Sequence, residues 1–300
     1  MEYIRESNMK ISTELTVEKL KKATIHRQVL CAVALAYEKG VGLHFNLDGI
    51  KGIMPFDQVV YSPDGSETKE AAVVTRVNKK VCFEVTDIKY ENDIPVAYLS
   101  RKAVQEKAFA KYISCLVPGD IIGCTVTHID SFGVFCDIGC GITALLPIDF
   151  ISVSRISGPA DRFVTGQNIR ACIRSKSSGG RIVLTHKELL GTWAENAAMF
   201  RRQTTAVGIV RSIEDYGVFI ELTPNLAGLA EVCDTVAPGD VVEVYIKSIL
   251  PDKMKVKLVI MNKLANRQIN RDIMYFTDSG HIDRWDYSDG NAKKNICTEF

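Results

Sequence analysis

The stretch CTVTHIDSFGVF at residues 124–135 returns 84 positions later as GIVRSIEDYGVF at 208–219. Val126 matches Val210, Ile129 matches Ile213 and Phe132 matches Tyr216, while Gly133-Val134-Phe135 matches Gly217-Val218-Phe219 identically. The offset carries on to Leu145 and Leu229, then falls to 74 at Leu184 and Leu258. Self-similarity at a fixed offset marks a repeated supersecondary unit. The shrinking offset puts the extra residues of the first copy around Ser154-Arg155-Ile156-Ser157-Gly158-Pro159, where Gly and Pro read as loop.

Each copy reads as short strands. In the first, 126–129 is β-rich, 133–138 follows a tight turn, and 141–147 is an apolar third strand. Residues 166–174 alternate apolar and polar, as a half-buried strand does. Gly179-Gly180 then turns the chain into Arg181–Leu184. The second copy repeats this with 241–246, a Pro251-Asp252 turn and 255–260. Five short strands joined by Gly turns predict a small closed or nearly closed barrel.

A more divergent copy precedes these two. Gly40-Val41-Gly42 is read in the place of Gly133-Val134-Phe135, and 49–55 in the place of 141–147, with further strands over 71–77, 81–90 and 94–99. Helical linkers are expected over 101–113 and 187–200, the latter with Leu190, Trp193 and Ala197 on one face. The division that follows is an N-terminal extension 1–20, a divergent barrel 21–104, a linker 105–117, a barrel 118–186, a linker 187–203, a barrel 204–262 and a tail 263–300. With Met274, Tyr275, Phe276, Trp285 and Tyr287 the tail is too aromatic for plain disorder, and is expected to form a hairpin or pack on the third barrel.

The bulk numbers narrow the function. A net charge of +1 leaves no global attraction for nucleic acid, so any such site must be local. Nine scattered cysteines, an odd number without a CxxC pair, point to free thiols and a reducing cytosol. No run of 18 apolar residues and no apolar leader segment is present, which disfavours a membrane or secreted protein. Phosphate-loop, HExxH and GxSxG motifs are missing, and His26, His44, His128, His186 and His281 stand isolated. The expectation is a protein that is not an enzyme, with no cofactor and no metal.

The residues of the repeat resemble the S1 RNA-binding domain: Val126, Ile129, Phe132-Gly133-Val134-Phe135, Leu145, Gly166 and 181–185, and better still 208–219, Gly228-Leu229 and 255–258. The arrangement resembles the short bacterial homologues of ribosomal protein S1. The resemblance implies an all-β chain of three tandem five-stranded barrels of the oligonucleotide-binding type (the OB-fold), joined by short helical linkers. It implies an RNA face with Phe132, Phe135 and Arg181 on the second barrel, and Tyr216, Phe219 and Lys255 on the third. A histidine frequent in the family on the third strand is replaced here by Pro55, Pro147 and Glu231. In the first barrel Lys39 and Gly42 are read in place of the two aromatics, so that barrel is expected to contact protein, such as the small ribosomal subunit.

These residue types suit single-stranded RNA. Exposed rings stack bases of any identity, and cations on neighbouring strands follow phosphates. Further candidates for the cations are Arg170, Arg174 and Lys176, then Arg211, Lys247, Lys253 and Lys257. Gly133 and Gly217 are read as leaving room for a base to reach the backbone. A purely structural reading stands beside this, because Phe132 and Phe135 differ by an odd number and a regular strand would bury one of them. The expected role is a cytoplasmic mRNA binder in translation; the alternatives are a regulatory RNA-binding protein of transcription or RNA decay, and a protein-docking scaffold.

Overall fold

The computed structural model describes residues 3–177, 179–264, 272–288 and 295–300; the remaining parts of the tail, 265–271 and 289–294, lie outside the described residues. The first barrel comprises β1 (Leu30–Glu38), β2 (Gly42–Leu47), β3 (Ile50–Pro55), β4 (Lys80–Glu91) and β5 (Ile94–Ser100). The second comprises β6 (Ile121–Asp130), β7 (Gly133–Asp137), β8 (Thr143–Pro147), β9 (Asn168–Lys176) and β10 (Ile182–Thr185). The third comprises β11 (Thr205–Glu214), β12 (Gly217–Thr223), β13 (Leu226–Ala230), β14 (Val241–Leu250) and β15 (Lys255–Lys263). All three close in one circular order, in which the third strand pairs in parallel with the fifth and the fourth closes onto the first. The all-β, three-barrel expectation therefore holds.

The helices are α1 (Val17–His26), α2 (Glu70–Val74), α3 (Arg101–Lys111) and α4 (Trp193–Ala198). By packing the chain divides into two units: Met1–Val117 with Cys136–Ala144 and Lys176–Ile182, and Pro118–Phe135 with Leu145–Ser175 and Val183–Phe300. Among the described residues no helix is long and apolar enough to cross a membrane.

In the first unit α1 starts where the Thr16 side chain accepts from the Lys19 N–H, satisfying one of the free donors of the first turn. Its Leu20 and Ala23 join the barrel core of Phe45, Phe83, Leu43 and Leu99, so the helix crosses the expected 20/21 boundary as part of the first barrel. The other end of the barrel runs straight into α3, because Ser100, the last residue of β5, caps that helix through Ala103 N–H. The linker helix thus begins at Arg101, where it was expected, so the 104/105 division falls inside the helix. Arg101 is buried and donates to both carboxylate oxygens of Glu6, at 2.6 and 3.0 Å, and to the carbonyls of Val59 and Gly141. Glu6 also accepts from Cys82 N–H, and its own N–H donates to Asp137. A buried charge survives only when paired and hydrogen-bonded in this way. What reads as a polar extension is thereby a structural part of the unit.

In the second unit the third barrel closes over Val210, Val218, Ile220, Val242, Val244, Ile246, Val256 and Leu258. Trp193 of α4 and Trp285 and Tyr287 of the tail extend the same core. Two short tail strands, β16 (Arg284–Asp286) and β17 (Cys297–Glu299), pair with each other, so the tail both forms a small sheet and packs on the third barrel. Asn225, with no exposed surface, ties these pieces together. Its amide donates to the carbonyls of Lys187 and Gly191, its side-chain oxygen accepts from Val153 N–H, and its carbonyl accepts from Tyr287 Oη.

Candidate nucleic-acid interface

The interface is built from the register of the strands. In the third barrel Ser212, Phe219, Leu229 and Lys257 are successive partners across β11, β12, β13 and β15. Val218 and Ile220 fill the core on either side of Phe219, so Phe219 and its row face outward. Tyr216, 69% exposed in the turn before β12, meets Phe219 edge-on, with ring centroids 6.0 Å apart at 89°. The second barrel reproduces the pair: Phe132, 50% exposed, lies edge-on to Phe135 at 5.9 Å and 88°. The odd spacing does not bury either ring, because β7 and β12 begin at the glycine and the first aromatic belongs to the turn. Edge-to-face packing holds each ring in place while leaving the turn ring open to solvent.

The glycine between the rings has a different reason from the one expected. Gly42, Gly133 and Gly217 are buried, and a Cβ there would stand 2.0, 2.6 and 2.4 Å from the carbonyl oxygens of Met54, Leu146 and Ala230. The residue lets the third strand close on the second; it is not an opening for a base. The same contact fixes the alignment of the first barrel. Gly42 is the counterpart of Gly217, and the row there is Ala36, His44, Ile53 and Tyr98. Val41 and His44, rather than Lys39 and Gly42, thus occupy the aromatic positions. His44 is bonded to Glu38 at 2.8 Å, the Tyr98 hydroxyl lies 3.3 Å from Glu91 and Lys89 Nζ sits 5.0 Å over the Tyr98 ring, so the rings of this row are already engaged by charged neighbours.

His128, isolated in sequence, is an exposed ring stacked on Phe135, with centroids 6.1 Å apart and planes at 26°. The signal that could have found it is its offset of 84 from Ser212, the strand partner of Phe219.

The cations sort into two groups. Arg181, Lys247, Lys253, Lys255 and Lys257 are exposed. Lys255 and Lys257 flank buried Val256 and so share the outer face; Lys257, not Lys255, stands in the row of Phe219. Arg211, Lys176 and Arg174 are committed elsewhere. Arg211 is withdrawn from the surface, donating to both oxygens of buried Glu221 and pairing with Asp161 at 3.4 Å, so the expected phosphate contact does not fit it. Lys176 donates to the carbonyls of Ile113 and Ser114 at the end of the α3 linker. Arg174 donates to the Glu299 carbonyl and lies over the Phe300 ring; at Arg170 it is the backbone N–H rather than the guanidinium that donates to Tyr275 Oη, which sets the tail beside this strand. Spacing along a strand gave these residues a shared face but could not reveal that linker and tail cover it. Among the described residues no cluster of three or more His, Cys, Asp or Glu side chains is placed to hold a metal.

Comparison with known proteins fits this geometry. Residues 116–187 match the S1 RNA binding domain model. Small ribosomal subunit protein bS1 of Leuconostoc lactis is 29% identical over 236 residues, covering 72% of this chain and 52% of that protein. The bS1 of Staphylococcus aureus is 30% identical over 204 residues, 62% of this chain and 51% of that protein. The 4-hydroxy-3-methylbut-2-enyl diphosphate reductase of Fusobacterium nucleatum is 28% identical over 290 residues, 88% of this chain but 33% of that protein. The chain therefore spans about half the length of the bS1 proteins it matches, and a third of the reductase. Residues 116–187 thus match the S1 RNA-binding domain model, and the ring pair of that barrel recurs on the third.

Proposed function

We propose that this protein binds single-stranded RNA on the ring faces of its second and third barrels, as a cytoplasmic mRNA binder in translation that works with the small ribosomal subunit. It performs no catalysis in this reading; the barrels act by holding RNA. The observation that carries the reading is the recurrence of one exposed edge-to-face ring pair, Phe132/Phe135 and Tyr216/Phe219, at the same place on two barrels. Two rigid platforms in one chain raise avidity without new contacts. Similarity to bS1 proteins supports the ribosomal setting. In the first barrel the rings of the same row are engaged by Glu38, Glu91 and Lys89, which suits protein contact better than base stacking.

The test is a fluorescence-anisotropy titration of the full chain with single-stranded RNA, beside the Phe132→Ala/Tyr216→Ala variant. Loss of one stacked base on each barrel, at about 1–3 kcal/mol per base, predicts a complex weaker by about 30-fold or more when both barrels are engaged. Equal binding by the variant would reassign the rings to a structural role. Cosedimentation with the small ribosomal subunit tests the setting independently.

A further inference from the structure

Beside Phe132 for Tyr216 and Val183 for Lys257, the two ring faces differ at a position on an exposed strand face. His128 and Ser212 are counterparts by the constant offset of the repeat. Ser212 is the Cα partner of Phe219, so the side chain there sits beside the strand ring. In the third barrel it is a hydroxyl. In the second it is an imidazole, exposed and stacked on Phe135, which is itself edge-on to Phe132. Three rings therefore run in contact across β6, the turn and β7, where the third barrel has two. The outer side of the His128 ring faces solvent, and an aromatic face exposed beside a base-stacking pair can take a base of its own.

We infer that His128 is a third stacking ring, which lengthens the RNA footprint of the second barrel by one nucleotide relative to the third. This rests on the RNA reading of the ring faces. It assigns to His128 a binding role and not a catalytic or metal one. The second-barrel platform takes one base on Phe132 and the next on His128, with Phe135 as the spacer that fixes the distance between them. Stacking through an imidazole depends on its flat ring, so phenylalanine can replace it and serine cannot.

The experiment uses the full chain with Tyr216→Ala, which weakens the third-barrel site, and oligouridylates of increasing length read by fluorescence anisotropy. Adding His128→Ser is expected to weaken binding by about fivefold or more, and to shorten by one nucleotide the length at which affinity stops rising. His128→Phe should restore both. In an otherwise unchanged chain, Ser212→His should tighten binding. His128 is exposed, so circular dichroism should be identical in all variants. If His128→Ser binds like its parent while Phe132→Ala loses binding, the face is real and the third ring is refuted. If neither substitution changes binding, the RNA reading of the face fails and the inference falls with it.

Discussion

Two residues show what the sequence could and could not reveal at the smallest scale. Gly217 was legible as an invariant of the repeat, yet its reason lies in a strand that sequence does not place beside it. Its φ is +150° and an added Cβ would stand 2.4 Å from the Ala230 carbonyl oxygen, so Gly217→Ala must push β12 from β13. A loss of about 1–3 kcal/mol in urea unfolding is expected, with Gly40→Ala, whose Cβ meets open space, costing less. His186 was not legible at all. It is buried, with Nδ1 3.0 Å from the Ile151 carbonyl and Nε2 3.3 Å from Tyr275 Oη. Burial, with Arg162 nearby, pushes it down to about 4, against the bond to Ile151. A lowered histidine is neutral in the fold, and the unfolded chain takes up the proton first. Its stabilisation is therefore full above about pH 6.5 and drains away as pH falls toward 4, by up to about 3 kcal/mol. Asp137, pushed up to about 6 by burial and by Glu6, acts with the opposite sign, gaining stability on acidification. The difference between the protein and His186→Gln isolates the histidine. Unfolding free energies should converge as pH drops from 6.5 to 4, and a constant gap would refute the buried neutral state.

At the scale of elements the second and third barrels were legible because period-two alternation, Gly turns and a fixed offset all agree, whereas in the first the expected strand over 71–77 is α2 (Glu70–Val74). The loop 154–159 was correctly read as the extra piece of the second barrel, but not what it does. Ser154 N–H donates to the Pro224 carbonyl, and Arg162, just beyond, donates to both oxygens of Glu221 on β12. Arg211 on β11 shares that carboxylate, so one buried glutamate holds two arginines from a loop and a strand. The basic residue that looked like a phosphate contact is an anchor because its partner came from ten residues along the next strand. Removing the charge with Glu221→Gln leaves mostly buried Arg162 without its carboxylate and Arg211 with Asp161 alone at 3.4 Å, and a loss of about 3 kcal/mol is expected in thermal or urea unfolding. Replacing Arg211 by Met in the same chain should recover part of that loss. A Glu221→Gln protein as stable as the original would mean that the trio is held by packing alone.

At the scale of the whole molecule the balance of 37 basic against 36 acidic residues decides how the protein meets a polyanion. No long-range field draws RNA in, and several candidate cations are already spent on Glu221, on the Ile113 and Ser114 carbonyls and on the tail. What remains near the third-barrel rings is Lys255 and Lys257, with Lys247 and Lys253 behind them, and Arg181 on the second barrel. Each phosphate neutralised on a single strand adds about −0.7 to the slope of log K against log salt. With all five engaged the slope reaches roughly −3.5, and with only Lys257 and Arg181 it is roughly −1.4. Binding by this protein is thus expected to be held mainly by stacking, with a slope between those limits, and to survive salt that strips a basic RNA binder. Lys257→Ala should reduce the slope by about 0.7 while Arg211→Met leaves it unchanged, because only the first stands free in the row of Phe219. A slope much steeper than −3.5 would place most of the affinity on phosphates and require a basic track other than these residues.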